Sequence, residues 1–445
     1  MHLFSAISRI IIPIHLDPLA AILYAAAFAG IAMATARRPV YGLVALILAQ
    51  PFAFERYVFH TTITLPKVAL LAVILGLSTY VGIFGSLRER PARTLLLAGG
   101  LVAAAMALSI IVAAYPLDAV RQVMKAIWYV AIFAAGYAAY RADPDEFILR
   151  YAIVGTTVLV ACSALVQEII GAPSALLFHG TVIPRIAGAL DGPNQLAGYL
   201  EISLAFLIAL AITTRSRAVP AAIGLVIFTD VLTFSRGGWL GAAVATLTVA
   251  WIYRERLRLA ELRLPLALIA GTVIVGIGAW GIDLHSLGFL RLFSLQSSYA
   301  GGVGTRPELW HAAVVLWLRH PWLGVGAGNY QDLLGQVGLP GIRTHANSLY
   351  LQAIVEGGLP LLAATLWLTW TSIVTFLRSG SRAVFVVAAG AASLALATHQ
   401  IVDYLTFYAG VGGWWWLALA LGAGQLSQAP VQATLQAPVQ TPACE

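Results

Sequence analysis

Apolar runs close to the ~17–25 residues that a helix needs to cross a bilayer recur along almost the whole sequence. They lie at roughly 18–36, 39–54, 66–86, 94–114, 120–140, 147–170, 193–213, 218–234, 237–253, 264–282, 356–378, 382–400 and 409–425. A chain with 60% hydrophobic and 10% charged residues is no ordinary soluble protein, in which about a quarter of residues are charged. In lipid each segment must satisfy its own backbone, which leaves helices or a closed barrel. The ~10-residue alternating segments of a barrel are not seen. The expected fold is all-α: a polytopic transmembrane helical bundle of about 12–13 spans, the lower number applying if the two shortest runs form one tilted or re-entrant element.

Arginines sort the loops. Arg37 and Arg38, then Arg88, Arg90 and Arg93, then Arg141 and Arg150, Arg215 and Arg217, Arg254 to Arg263, and Arg378 with Arg382 occupy every second loop, the alternation expected of cytoplasmic loops. This divides the chain into an interfacial N-terminal segment at 1–17, transmembrane helices at 18–282, a long external loop with short amphipathic helices at 283–345, C-terminal spans at 346–425, and a Gln-, Ala- and Pro-rich tail at 426–445 expected to be disordered and cytoplasmic. The net charge of +7 is scattered through short loops rather than gathered on a soluble face, so it marks topology and no nucleic-acid partner. Cys162 and Cys444 lack metal-site spacing, no other cluster supplies it, and no metal or cofactor is expected. Asp143, Asp145 and Glu146 read as a solvated cytoplasmic loop beside Arg141 and Arg150. No Walker-type phosphate loop is present, and the glycines at 324, 326 and 328 lack the strand and spacing of a dinucleotide site.

Against this pattern, Arg185, Arg236, Arg291, Arg306, Arg319 and Arg343 fall on the external side. Ionisable groups at membrane depth or lining a cavity are expensive and mark candidate functional sites. Arg236 follows Ser235, a good N-cap, and precedes two glycines, so it stands at a helix N-terminus that favours anions; the plainer reading is an arginine snorkelling to headgroups. Arg185 precedes the turn Asp191-Gly192-Pro193-Asn194 that opens the next helix, and its plainer reading is a loop pair with Asp191. Together two guanidiniums form a natural clamp for a pyrophosphate. His345 opens a segment, THANSLYLQAIVEGG, read as a short helix ended by Gly357 and Gly358, with His345, Ser348 and Gln352 on one face. An imidazole suits a general base near neutrality; the plainer reading is a hydrogen-bonded interface histidine. The 306–320 segment reads as a surface helix with Trp310, Val314 and Trp317 in register.

Five motifs stand in order: R-x-x-G-x-x-x-x-P-N-x-L-A from Arg185, S-R-G at 235–237, R-x-x-x-W at 306–310, H-P-x-x-G-x-G-x-G-N from His320, and H-A-N-S-L-Y-L-Q from His345 with E-G-G after it. As a set they resemble the O-antigen ligase and O-antigen polymerase superfamily of bacterial envelope glycosyltransferases. The resemblance is strong over roughly 180–380 and general elsewhere. It implies a multi-pass protein of the bacterial inner membrane working at its periplasmic face. The implied reaction moves a glycan from a polyprenyl-pyrophosphate carrier to an acceptor hydroxyl, on lipid A-core or on a second carrier-linked glycan, without metal or cofactor. By position, Arg185 and Arg236 match the arginines that hold the pyrophosphate and His345 the histidine that activates the acceptor. Arg306 matches a further loop arginine; Asn194, Asn347 and Gln352 are candidate substrate-binding residues. Glu308 and Glu356 are the nearest carboxylates that a covalent route would need. A lipid-linked glycan flippase or secondary transporter is the alternative of another class.

Overall fold

The computed structural model describes residues 18–52, 63–171, 174–178, 181–214, 216, 218–256 and 305–435. The expected N-terminal segment at 1–17, the expected span at 264–282, Arg291 and the last ten residues lie outside them. The helices follow the apolar runs. They are α1 (Pro18–Arg37), α2 (Pro39–Ala49), α3 (Leu65–Leu77), α4 (Arg90–Ser109), α5 (Pro116–Ala142), α6 (Glu146–Ile170), α7 (Pro193–Thr213), α8 (Ala218–Leu232), α9 (Arg236–Ile252), α10 (Arg306–Arg319), α11 (Leu349–Leu377), α12 (Val384–His399) and α13 (Ala409–Leu435). Proline in the first turn starts α2, α3, α4, α5, α7 and α10, where its missing N–H loses nothing and its fixed φ suits the helix. Asp145, Ser235 and Ser348 cap α6, α9 and α11 by accepting backbone N–H bonds.

The protein is an all-α polytopic membrane protein. Among the described residues five stretches, Arg90–Val112, Pro116–Ala142, Glu146–Ile170, Pro193–Thr213 and Leu349–Leu377, are long and apolar enough to cross a bilayer, and there are shorter apolar helices besides. Burial orders the bundle. Every residue of α7 from Gln195 to Leu207 is buried, the mark of a central helix, and α7 packs against α8, α9, α12 and α13. By contrast α4 and α6 turn Leu97, Leu101, Leu159, Val166 and Ile169 outward, an apolar surface that suits lipid.

Two expectations change. Part of the 171–192 loop is an antiparallel hairpin, β1 (Ser174–Phe178) with β2 (Thr181–Arg185), in which Ser174 pairs with Arg185; its strands are five residues each, too short to read beside the long helical runs. The tail expected to be disordered from 426 is helical as far as Leu435. Side chains anchor that continuation: the Gln425 amide oxygen accepts the Phe385 N–H, and the Ser427 hydroxyl meets the Tyr137 hydroxyl at 2.9 Å.

Ion pairs join loops of the same parity. Arg38 binds Asp143 and Asp145, Arg141 binds Glu89, and Arg382 binds Glu255, all among the loops of the arginine-rich set. Arg306–Asp403 and Arg343–Asp332 join the other set. The bundle therefore has two chemically distinct ends. Asp143, Asp145 and Glu146 serve the first: Asp145 caps α6, Asp143 and Asp145 hold Arg38, and Glu146 holds Arg150.

Candidate active site

The second end is built around Asp403, in the turn after α12. One of its carboxylate oxygens accepts the Tyr404 N–H at 2.8 Å; the other accepts the Asn194 side-chain amide at 2.6 Å and meets Arg306 at 3.4 Å. Asn194 in turn accepts Arg185 at 2.7 Å, while the Arg185 Nε donates to the Thr233 carbonyl at 2.7 Å. Two of the five motifs thus meet through one carboxylate that neither contains. The Asp191–Asn194 turn does start α7, with Gly192 as its N-cap and Pro193 in its first turn. Arg185 comes from the end of the hairpin.

Arg236 opens α9, with Ser235 as its cap accepting the Gly238 N–H at 3.3 Å. It lies close enough to Arg306 for their like charges to interact. The glycines that follow bring α9 onto its neighbours: a side chain at Gly237 would meet the His399 ring, and one at Gly241 the Glu201 carboxylate.

His345 lies in irregular chain before α11, not in a helix as expected. Helix starts only at Leu349, and the positive φ of Asn347 (49°) belongs to the turn between them. The shared-face argument for His345, Ser348 and Gln352 therefore fails. Gln352 instead accepts the Ala346 N–H at 2.7 Å and so holds the segment beside His345. The His345 ring packs 4.1 Å from Phe407 and edge-on to Tyr404 at 5.3 Å, centroid to centroid. The Lys125 ammonium sits 3.5 Å from the centre of the Phe407 ring and donates to the Phe407 carbonyl. Burial, with the Lys125 charge added to it, pushes the His345 imidazole down from 6.5 to about 4. It is therefore neutral near pH 7, and the same burial makes it a weaker base than a free imidazole; its buried Nδ1 has no hydrogen-bond partner among the described residues.

The two carboxylates weighed as nucleophiles have structural work. Glu308 accepts the Thr305 N–H at 2.8 Å at the start of α10. Glu356, 3% exposed, accepts the Gln352 amide at 2.7 Å and backbone N–H groups of Gly328 and Tyr330. The glycine loop after α10 is folded onto that point of α11. Val325 and Gly326 donate to the carbonyls of Val355 and Glu356, where α11 breaks at Gly358 (φ 62°) against the Trp322 carbonyl. Asn329 fastens the other side by exchanging hydrogen bonds with the Tyr115 backbone. The expected stop at Gly357–Gly358 is thus a kink within one long helix. Helix α10 also forms as expected, but its buried face is Leu309, Ala312, Ala313 and Leu316, packed on Val325, Tyr330 and Leu334; the loop folds over it, so Trp310, Val314 and Trp317 are not its inner stripe.

Under Phe407, between α4, α5, α11, α12 and α13, lies a cavity of about 90 Å³, apolar at Val102, Met106, Leu361 and Trp416 and polar at Gln122, Lys125, Glu356 and Gln400. Asp403, Lys125 and Phe407 escaped sequence reading. The signal for Asp403 was an acid between two apolar runs, on the side where Arg185, Arg236 and Arg306 run against the charge alternation.

Comparison with known proteins adds one match: residues 220–366 fit the family model described as O-antigen ligase. No curated protein matches the chain. The matched stretch, a third of the chain, runs from α8 to the middle of α11 and contains Arg236, Arg306, the glycine loop and His345, so over this stretch the chain is similar to the O-antigen ligase family.

Proposed function

We propose that the protein transfers a glycan from a polyprenyl-pyrophosphate carrier to an acceptor hydroxyl, lipid A-core being the acceptor of the ligase reading, at the outer face of the bacterial inner membrane. The observation that carries this reading is the convergence of Arg185, Arg306 and Asn194 on Asp403, one residue from the aromatic turn 404–408 that encloses His345. Cations for a pyrophosphate and a neutral imidazole thereby adjoin.

In the proposed reaction the neutral His345 accepts the acceptor's hydroxyl proton as its oxygen bonds to the anomeric carbon. The bond from that carbon to the pyrophosphate oxygen breaks on the opposite face, and the electron pair leaves with the pyrophosphate. Arg185 and Arg236, with Arg306 beside them, stabilise the charge that develops there. A single displacement with inversion follows, because Glu308 and Glu356 are engaged in holding the loop and helix. Asn194 positions Arg185, and Gln352 positions the His345 segment. The apolar cavity beneath Phe407 suits the first part of the carrier's hydrocarbon.

The test is reconstitution with a polyprenyl-pyrophosphate oligosaccharide, with and without lipid A-core. Product that requires lipid A-core supports the ligase form, a ladder from donor alone supports the polymerase form, and no product with validated donor and acceptor overturns transfer.

A further inference from the structure

Behind Arg236, one to two helical turns inside the bundle, lies a second polar centre that the transfer reading does not use. Glu201 of α7 and His399 of α12 meet at 3.0 Å between Oε2 and Nδ1, both about 1% exposed. Asp230 of α8, 6% exposed, is the next acid, and the charges that act on it are those of Glu201 and His399. Asp403 is the further charge felt by the pair, and it is matched by Arg306. One carboxylate therefore contacts the imidazole and a second lies within electrostatic reach of the pair, in the interior of a membrane bundle where an uncompensated charge is costly.

The second observation is the space between them. Glu201 and Asp230 are the acidic lining of a partly open cavity of about 170 Å³, whose other walls include Leu200, Val226, Trp239 and Ala242. These two residues also carry buried oxygens, Glu201 Oε1 and Asp230 Oδ1, with no hydrogen-bond partner among the described residues. The Asp230 backbone carbonyl accepts the Trp239 indole N–H at 3.1 Å, and Asp230 and Trp239 both line the cavity. The helices are shaped around this arrangement: Gly238 and Gly241 of α9 sit against Asp230 and Glu201, where a side chain would intrude.

We infer that this cavity binds one monovalent cation, sodium or potassium, held by Glu201 and Asp230 and keeping part of its water. Charge selects a cation, since an anion would add to the acidic excess. Size allows water to stay with it, because a water's share of liquid volume is about 30 Å³. The ligand set selects a monovalent ion: among the described residues no three His, Cys, Asp or Glu side chains are grouped as metal ligands, and divalent ions draw on larger oxygen cages. The bound ion would tie α7 to α8 beneath the N-terminus of α9 and so steady Arg236. This inference stands independently of the transfer reading.

The experiment is thermal unfolding of the full-length protein in detergent. Sodium or potassium chloride replaces N-methylglucamine chloride at constant ionic strength, for wild type, Asp230→Asn, Glu201→Gln and the cavity-filling Ala242→Leu. A ligand that binds only the folded state raises Tm by mass action. The expected result is a saturable rise of about 2 °C or more in wild type, lost in Ala242→Leu and in whichever carboxamide variant folds. No cation-dependent rise in wild type overturns the inference. A rise that survives in the variants overturns it by placing the ion elsewhere. So does a rise produced by lowering pH in place of added cation, which assigns the cavity to a proton.

Discussion

The two ends of the bundle handle charge in opposite ways. At one, Arg38 is shared by Asp143 and Asp145, Arg141 is matched by Glu89, Arg150 by Glu146 and Arg382 by Glu255. At the other, Arg306 shares a single carboxylate with Asn194, Arg185 is held by a carbonyl and an amide oxygen, and Arg236 lies within reach of Arg306's like charge. The first arrangement closes a surface. Around Asp403, away from the Arg343–Asp332 pair, Arg185 and Arg306 are oriented by neutral or shared oxygens, which is how a site for an anion is pre-organised.

Substitutions break this contrast in order of effect. His345→Ala should abolish transfer in the reconstituted assay, a loss of about 10²–10⁴-fold, with Tm near wild type. Arg236→Ala and Arg185→Ala should each lose about 10²–10³-fold, read as initial rates over a range of donor concentration. Arg236→Lys should recover only part, because an ammonium lacks the planar fork.

The pH profile sharpens the comparison further. Since the His345 imidazole is held near 4 in the folded protein, the acid limb of the rate profile should fall close to pH 4 and not near the ordinary 6.5. The stability consequence has the same sign. A group with a depressed folded value contributes in full above its unfolded value, so this contribution is present above about pH 6.5 and is lost as pH falls toward 4. A Tm series for wild type against His345→Gln checks it. Gly358→Ala should cost about 2 kcal/mol, since its φ of 62° is left-handed and a side chain would press on the Trp322 carbonyl; denaturation would report it. At the closed end, Arg38→Ala should leave transfer unchanged and Tm nearly so, because its side chain is 42% exposed and exposed pairs contribute little.

Much of this was legible in the sequence because it rests on local rules. Helices α6 to α9 begin and end close to where hydropathy, Pro193 and Ser235 place them, whereas the helix end expected at Gly357–Gly358 is a kink within α11. What escaped is set by distant contacts. Asp403 joins Asn194 across 209 residues, and Glu201 meets His399 across 198; a lone acid in an apolar run carries no periodicity to announce its partner. His345 was expected at a helix start, but Asn347 at φ 49° and the Ser348 cap delay the helix to Leu349. The buried face of α10 depends on the glycine loop folding over it, a contact that helical register alone does not announce.

The central claim, that the shared-carboxylate end holds the carrier's pyrophosphate while His345 supplies the base, is tested most directly by measuring binding and turnover separately. Polyprenyl-pyrophosphate oligosaccharide would be titrated onto His345→Ala, Arg236→Ala and wild type, and transfer followed in the same preparations. The account predicts that His345→Ala binds donor as wild type does and forms no product, whereas Arg236→Ala loses donor affinity. Near-normal turnover by His345→Ala, or unchanged donor binding and transfer by Arg236→Ala, would contradict it.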